Sequence, residues 1–268
     1  MNNELSHAKL QLVAAGTLSN NFNNQQVESL TLSGPINGTD FITIRSLKEL
    51  THLDLSDCKF VGGGKSSEFN DYGVEVKCKA RKNELSDYML CRTEGRKTYN
   101  VVLLPQGIRR IGKNALAGQI NIKSITIPES VKKIDDNAFS CCCSLESVFL
   151  NEGLKQIGNG AFWGLSHLTE LEIPSSVIKI GNTAFSLAPI KILRVKNPIP
   201  TKLKPSTLKV ARNKLFPNFP KKMTTWPFSA KDCTLIVPKG SILRYQKSKG
   251  WNQFKNIIEE AEIKICAD

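Results

Sequence analysis

The chain has 268 residues, enough to bury a substantial core in one large domain or two small ones. With 40% hydrophobic and 23% charged residues it falls outside the disordered class, and no apolar run approaches the roughly 18 residues of a membrane span. The net charge of +13 suggests a nucleic-acid binder only until it is mapped: Ile173 to Lys231 holds twelve Lys and Arg and no Asp or Glu, and the rest holds 25 basic and 24 acidic residues, so the imbalance is a local patch.

Taken in chain order, residues 1–26 read as an N-terminal cap, and their start lacks the apolar segment of a secretory signal. Repeats begin at Val27, where Leu30 and Leu32 align with Leu53 and Leu55 at an interval of 23 residues. Between these units a helix-like run opens on the cap-type residues Thr39 and Asp40. The Gly-rich stretch after Phe60 reads as an inserted loop over about 58–84, and a degenerate unit from Leu85 aligns with Ile111 at 26 residues.

From Pro105 the rhythm is regular. Pro105, Pro128, Asn151 and Pro174 are 23 residues apart, as are Ile111, Ile134, Ile157 and Ile180. Ala115, Ala138, Ala161 and Ala184 keep the interval, and Leu116, Phe139, Phe162 and Phe185 follow one residue later. Leu145, Val148 and Leu150 share an L-x-x-L-x-L pattern with Leu168, Leu171 and Ile173. Alternation on this scale predicts one short strand per repeat, with a turn or short helix returning the chain across the other side. One unit cannot bury its apolar face alone, whereas stacked units share a continuous core.

Cys141, Cys142 and Cys143 are consecutive in a chain with eight cysteines. Cys142 aligns with Leu165, and Cys58 stands three residues after Leu55, so both read as buried repeat positions where a thiol serves as a small hydrophobe. A zinc site wants paired C-x-x-C or nearby histidines, and Cys78, Cys91, Cys233 and Cys266 stand singly. No metal, cofactor or disulfide is assigned.

The residues flanking the second Leu of each strand face outward: Ser29 and Thr31, His52 and Asp54, Val101 and Leu103, Ser124 and Thr126, Ser147 and Phe149, Glu170 and Glu172, Ile192 and Arg194. Val101, Leu103 and Phe149 are expected as exposed apolar side chains, a feature that often marks a contact site; cover by the neighbouring insert or a second copy is the alternative. A second candidate lies in residues 198–231, where Lys202, Lys204, Lys209, Arg212, Lys214, Lys221 and Lys222 accompany Phe216, Phe219, Trp226 and Phe228. Such a mixture suits an acidic glycan or acidic protein surface, or the aromatics plug the open end of the stack. Its prolines argue against a helix that enters a DNA groove, so nucleic acid is disfavoured. Residues 232–268 read as a C-terminal cap, with Ser241 capping a short helix and Leu243, Tyr245, Trp251, Phe254, Ile257 and Ile258 sealing the last rung.

His7, His52 and His167 are too far apart along the stack to share a metal or a triad. Glu170 and Glu172 share a strand face, but paired-carboxylate chemistry needs a cleft, which an open sheet does not offer. No catalytic residues are assigned.

The unit resembles the BspA-like class of leucine-rich repeat, through Pro128, Val131, Ile134, Ala138, Phe139, Cys142, Leu145 and Val148, and through Pro174, Val177, Ile180, Gly181, Ala184 and Phe185. Asp135 replaces the usual Gly and Leu116 the usual Phe. The resemblance covers about three quarters of the chain, including its two ends. It implies one α/β leucine-rich-repeat solenoid, right-handed and curved, with repeats over 27–197 between the caps. It also implies a non-enzymatic recognition protein, secreted or at the outer cell surface, whose signal and lipid-attachment cysteine are not part of this sequence. The implied partner is a host matrix protein, another cell or a glycan; a polysaccharide capture or processing component and an envelope structural protein are the alternatives. Oligomeric state stays open.

Overall fold

The computed structural model describes residues 6–21, 26–71, 74–203 and 230–261. The chain coils into a stack of parallel strands with two sheets. The front sheet holds β1 (Ser6–Gln11), β2 (Val27–Ile36), β3 (His52–Phe60), β7 (Val101–Leu103), β9 (Ser124–Thr126), β11 (Ser147–Phe149), β13 (Glu170–Ile173), β15 (Ile192–Val195), β16 (Thr234–Val237) and β17 (Asn256–Glu259). Its hydrogen-bonded ladder runs β1-β2-β3-β7, then β9-β11, then β13-β15-β16-β17. The back sheet is β6 (Glu84–Leu85), β8 (Arg110–Ile111), β10 (Lys133–Ile134), β12 (Gln156–Ile157) and β14 (Lys179–Ile180), five strands in sequence order.

The 23-residue interval is the register itself. Val148 lies opposite Ile125, and Ile134 opposite both Ile111 and Ile157; Leu171 lies opposite Leu193 at 22, where the unit is one residue short. Leu85 also pairs with Ile111, as the 26-residue alignment requires. Each regular coil holds a second, two-residue strand in addition to the expected front strand, and the rest of the return is turn. Among the described residues α-helix is confined to α1 (Gly38–Ser46) and α2 (Ile242–Lys247), beside short 3-10 turns at Leu18–Asn21 and Trp251–Gln253, and no helix is long and apolar enough to cross a membrane.

The turns explain why particular residues recur. One position per coil has a left-handed backbone, at Tyr88, Asn114, Asn137, Gly160 and Thr183; a second is at Gly118, Cys141, Gly164 and Leu187. Asn and Gly suit that region best. A neighbouring column carries Asp87, Asp136 and Asn159, whose side chains accept the backbone N–H of Lys113, Asn159 and Asn182 one coil later, at 2.7–2.9 Å. Inside the stack, Phe139, Phe162 and Phe185 are buried and their rings lie parallel, with centroids 5.4 and 6.1 Å apart. Each buried phenyl contributes about 1.5–3 kcal/mol of burial, and the stacking adds about 0.5–1.5 kcal/mol.

The caps add rungs of their own. The helix α1 is capped by Asn37 rather than Thr39, and Asp40 completes the capping box. The buried Asp40 carboxylate accepts the N–H groups of Gly16, Leu18 and Asn37, at 2.7, 3.0 and 2.9 Å, which ties the N-terminal turn to the helix. Where a loop was expected over 58–84, β4 (Ser67–Asp71) and β5 (Val74–Cys78) form an antiparallel hairpin. At the other end, Tyr245, Trp251 and Phe254 are buried against one another. The Tyr245 hydroxyl donates to Asn197 O and the Trp251 indole to Thr201 O, both at 2.6 Å, anchoring the point where the basic insert departs. Leu243 and Ile258, expected to seal this end, are exposed; Ile258 faces outward because its strand continues the front sheet. Ser241 precedes α2 but its hydroxyl is buried without a partner and makes no capping bond.

Candidate functional site: the front sheet

Alternation along the front strands sends one residue of each pair into the core and its neighbours outward. Val102, Ile125 and Val148 are buried, while Val101, Leu103 and Phe149 are 40%, 47% and 59% exposed, so the three apolar side chains expected at the surface are there. His52 stands opposite Val101 and Asp54 opposite Leu103, and Thr126 stands opposite Phe149. The hydrogen-bonded ladder is interrupted between β7 and β9 and between β11 and β13, although these strands stay adjacent. The exposed apolar residues sit on two rungs, β7 and β11, each at one of the interruptions, with Ser124 and Thr126 of β9 between them.

Beyond Phe149 the face becomes ionic. Glu172 pairs with Lys196 at 2.6 Å and Arg194 at 3.5 Å, and Arg194 also reaches Glu260 at 3.3 Å. The bond to Glu172 raises Lys196 above the ordinary lysine range. Glu170 is exposed on the same strand, in register with Ile192. On the far side of this band, Ile236 pairs in register with Arg194 and Ile258, and Ile258 is exposed. Sequence reading missed this second apolar group and the partners Lys196 and Glu260. The alternation in Thr234–Val237 and Asn256–Glu259 was the signal available, once those strands are placed in the ladder.

Of the basic insert, Lys202 is exposed. Lys204, Lys209, Arg212, Lys214, Lys221, Lys222 and Trp226 lie outside the described residues, so the fold does not place them.

The thiols are structural in their surroundings. Cys58 Sγ donates to Leu32 O at 3.3 Å and Cys142 Sγ to Leu116 O at 3.2 Å, each 26 residues back. Burial pushes the thiols of Cys58, Cys141 and Cys233 up to about 12, and that of Cys142 higher. None of the seven described cysteines is in a disulfide. Raised thiols are poor nucleophiles and poor metal ligands. His52 Nδ1 meets Thr51 Oγ1 at 2.9 Å and His167 Nδ1 meets Cys143 O at 2.7 Å, and neither approaches the other. Among the described residues no group of three His, Cys, Asp or Glu could hold a metal ion.

Residues 95–209 match the model of a BspA type leucine-rich repeat region in six copies. This stretch is similar to that family over less than half of the chain. The match is narrower than the three quarters of the chain that the motifs suggested, and the ladder itself continues past it on both sides, through β1–β3 and β17. The chain is similar to a leucine-rich repeat protein of T. pallidum, with 26% identity over 43% of this chain and 53% of that one, at a TM-score of 0.39. It is also similar to the pneumococcal vaccine antigen PcpA, with 16% identity over 90% of this chain and 61% of that one, at 0.46. A leucine-rich repeat protein from Bacteroides ovatus gives 17% identity over 88% and 56%, at 0.42. The chain thus spans between 53% and 61% of the length of these three structures. No curated protein matches it.

Proposed function

We propose that this is a non-catalytic recognition protein of the cell exterior, whose front sheet holds a protein partner by adhesion. The observation that carries the reading is the exposure of Val101, Leu103 and Phe149 on an open sheet, between the His52 and Asp54 rung and the ion-paired band at Glu172 and Arg194. An apolar centre with a charged rim has the anatomy of a protein contact. Phe149 is its most exposed large side chain and the natural anchor. A rigid ladder also holds these side chains in place before the partner arrives, which limits the ordering cost of binding.

The test is an array of matrix proteins and glycans, probed with the wild-type chain and Phe149→Ser at low and high salt. Binding through this face persists at high salt and falls by more than tenfold in Phe149→Ser, as expected for loss of an anchor worth about 2 kcal/mol. Binding that vanishes with salt and ignores Phe149→Ser would instead place it on a basic surface away from this face, such as the insert. If no partner is retained, the adhesion reading fails and an envelope-structural role replaces it.

A further inference from the structure

The back sheet presents a second surface that the front-face reading does not use. Just before each of its strands the chain carries Arg109, Lys132 and Lys155, and all three are exposed. Backbone bonds stack them in register: Lys132 N–H donates to Arg109 O at 2.8 Å, and Lys155 N–H to Lys132 O at 2.9 Å. Lys179 of β14 is exposed beside them, one column over. None of these four is ion-paired among the described residues. Their neighbours differ: Lys133 is held by Asp135 at 2.7 Å, and Arg110 by Glu84, Asp87 and Asp135. The nearest acidic column, Glu129 and Glu152, lies three residues earlier in each coil. Of these, Glu152 is already engaged: it accepts from Ser175 N–H and Oγ and is approached by Lys196 at 3.9 Å.

Like charges stacked across parallel strands repel one another, and an anion laid along them removes that cost. The geometry decides which anion. Rungs repeat every ~4.8 Å along the stack, close to the length of one sugar in an extended polysaccharide. Phosphates of a nucleic-acid duplex come every ~3.4 Å of axis per strand, ~1.7 Å counting both, and fall out of step. The outward residues of this face, Asn83, Arg109, Lys132, Lys155 and Ile178 with Glu84, Arg110, Lys133, Gln156 and Lys179, include no aromatic ring on which a base could stack. We propose that the back sheet binds a linear polysaccharide bearing sulfate or uronate groups, laid along the solenoid axis over Arg109, Lys132, Lys155 and Lys179.

The experiment measures binding of size-graded heparin fragments to the full chain across a salt series, with single-stranded DNA of matched charge as comparison. Affinity should rise with fragment length until the fragment spans about 15 Å, three rung spacings, and then level off. The Lys132→Glu/Lys155→Glu variant should bind at least tenfold more weakly and its salt slope should fall by about two, the number of cationic contacts removed. Lys132→Arg/Lys155→Arg should bind as wild type, and so should Phe149→Ser, which separates this surface from the front face. Both Lys sites are exposed, and equal thermal melting of all variants checks the fold. Binding of the Glu variant within twofold of wild type overturns the proposal and moves the interaction to the basic insert. Tighter binding of the DNA, or no heparin binding at low salt, overturns it as well.

Discussion

Thr183 is the residue whose backbone sits least comfortably. It occupies the left-handed turn position at φ 56°, which Asn114, Asn137 and Gly160 fill in the preceding coils. A β-branched residue there loses about 1–2 kcal/mol, while Asn tolerates the region. Thr183→Asn should therefore raise stability by about 1 kcal/mol, read as a higher urea midpoint at unchanged slope. The thiols make a second prediction at this scale. Burial lifts Cys58 from 9.0 to about 12, with Cys141 and Cys233 alike. A folded-state pKa above the unfolded one gives stability that is complete below about pH 9 and is lost as pH rises toward 12. The urea midpoint should fall between pH 8 and pH 11, and Cys58→Ala/Cys233→Ala should fall less steeply over that range. A drop of equal steepness in the variant would assign the alkaline loss to other groups.

Phe162 shows what an element of this fold depends on. Its ring is sandwiched between Phe139 and Phe185, so truncation opens a gap on both sides. Phe162→Ala should cost about 3–5 kcal/mol, measured by denaturant unfolding; a cost below 1 kcal/mol would mean that the coils close over the gap. The Phe column, the front strands and the buried Cys142 were legible because each repeats at a fixed interval and packs on its own copy. The back strands were not. Two residues such as Lys133–Ile134 show no alternation, and only bonds to the next coil define them as strand. The hairpin was missed for a different reason: the glycines after Val61 dominate the stretch, while Val74, Val76 and Cys78 alternate with Glu75 and Lys77 in a strand pattern. Asn37 was passed over as cap because Thr39 and Asp40 are also cap-forming types, and only the bonds of Asp40 assign the roles.

At the scale of the molecule, the outward face was readable because strand alternation fixes which residues leave the core. That is why Val101, Leu103 and Phe149 were found. The Glu172–Lys196 pair was not, since it joins different coils through side-chain reach. Ile236 and Ile258 were hidden because the insert over 198–231 breaks the rhythm before their strands. The stack itself is nearly one-dimensional, its backbone bonds and core packing joining each coil to its neighbours. Lys132 gives its N–H to the coil before and its carbonyl to the coil after, at 2.8 and 2.9 Å, and Phe162 stacks with one ring on either side. A duplicated 23-residue segment would meet the same partners at both junctions, with no new core to invent. Repeat number is thus a heritable length setting: each in-frame duplication or loss moves the two ends of the molecule by one rung, ~4.8 Å, and lengthens or shortens both faces together.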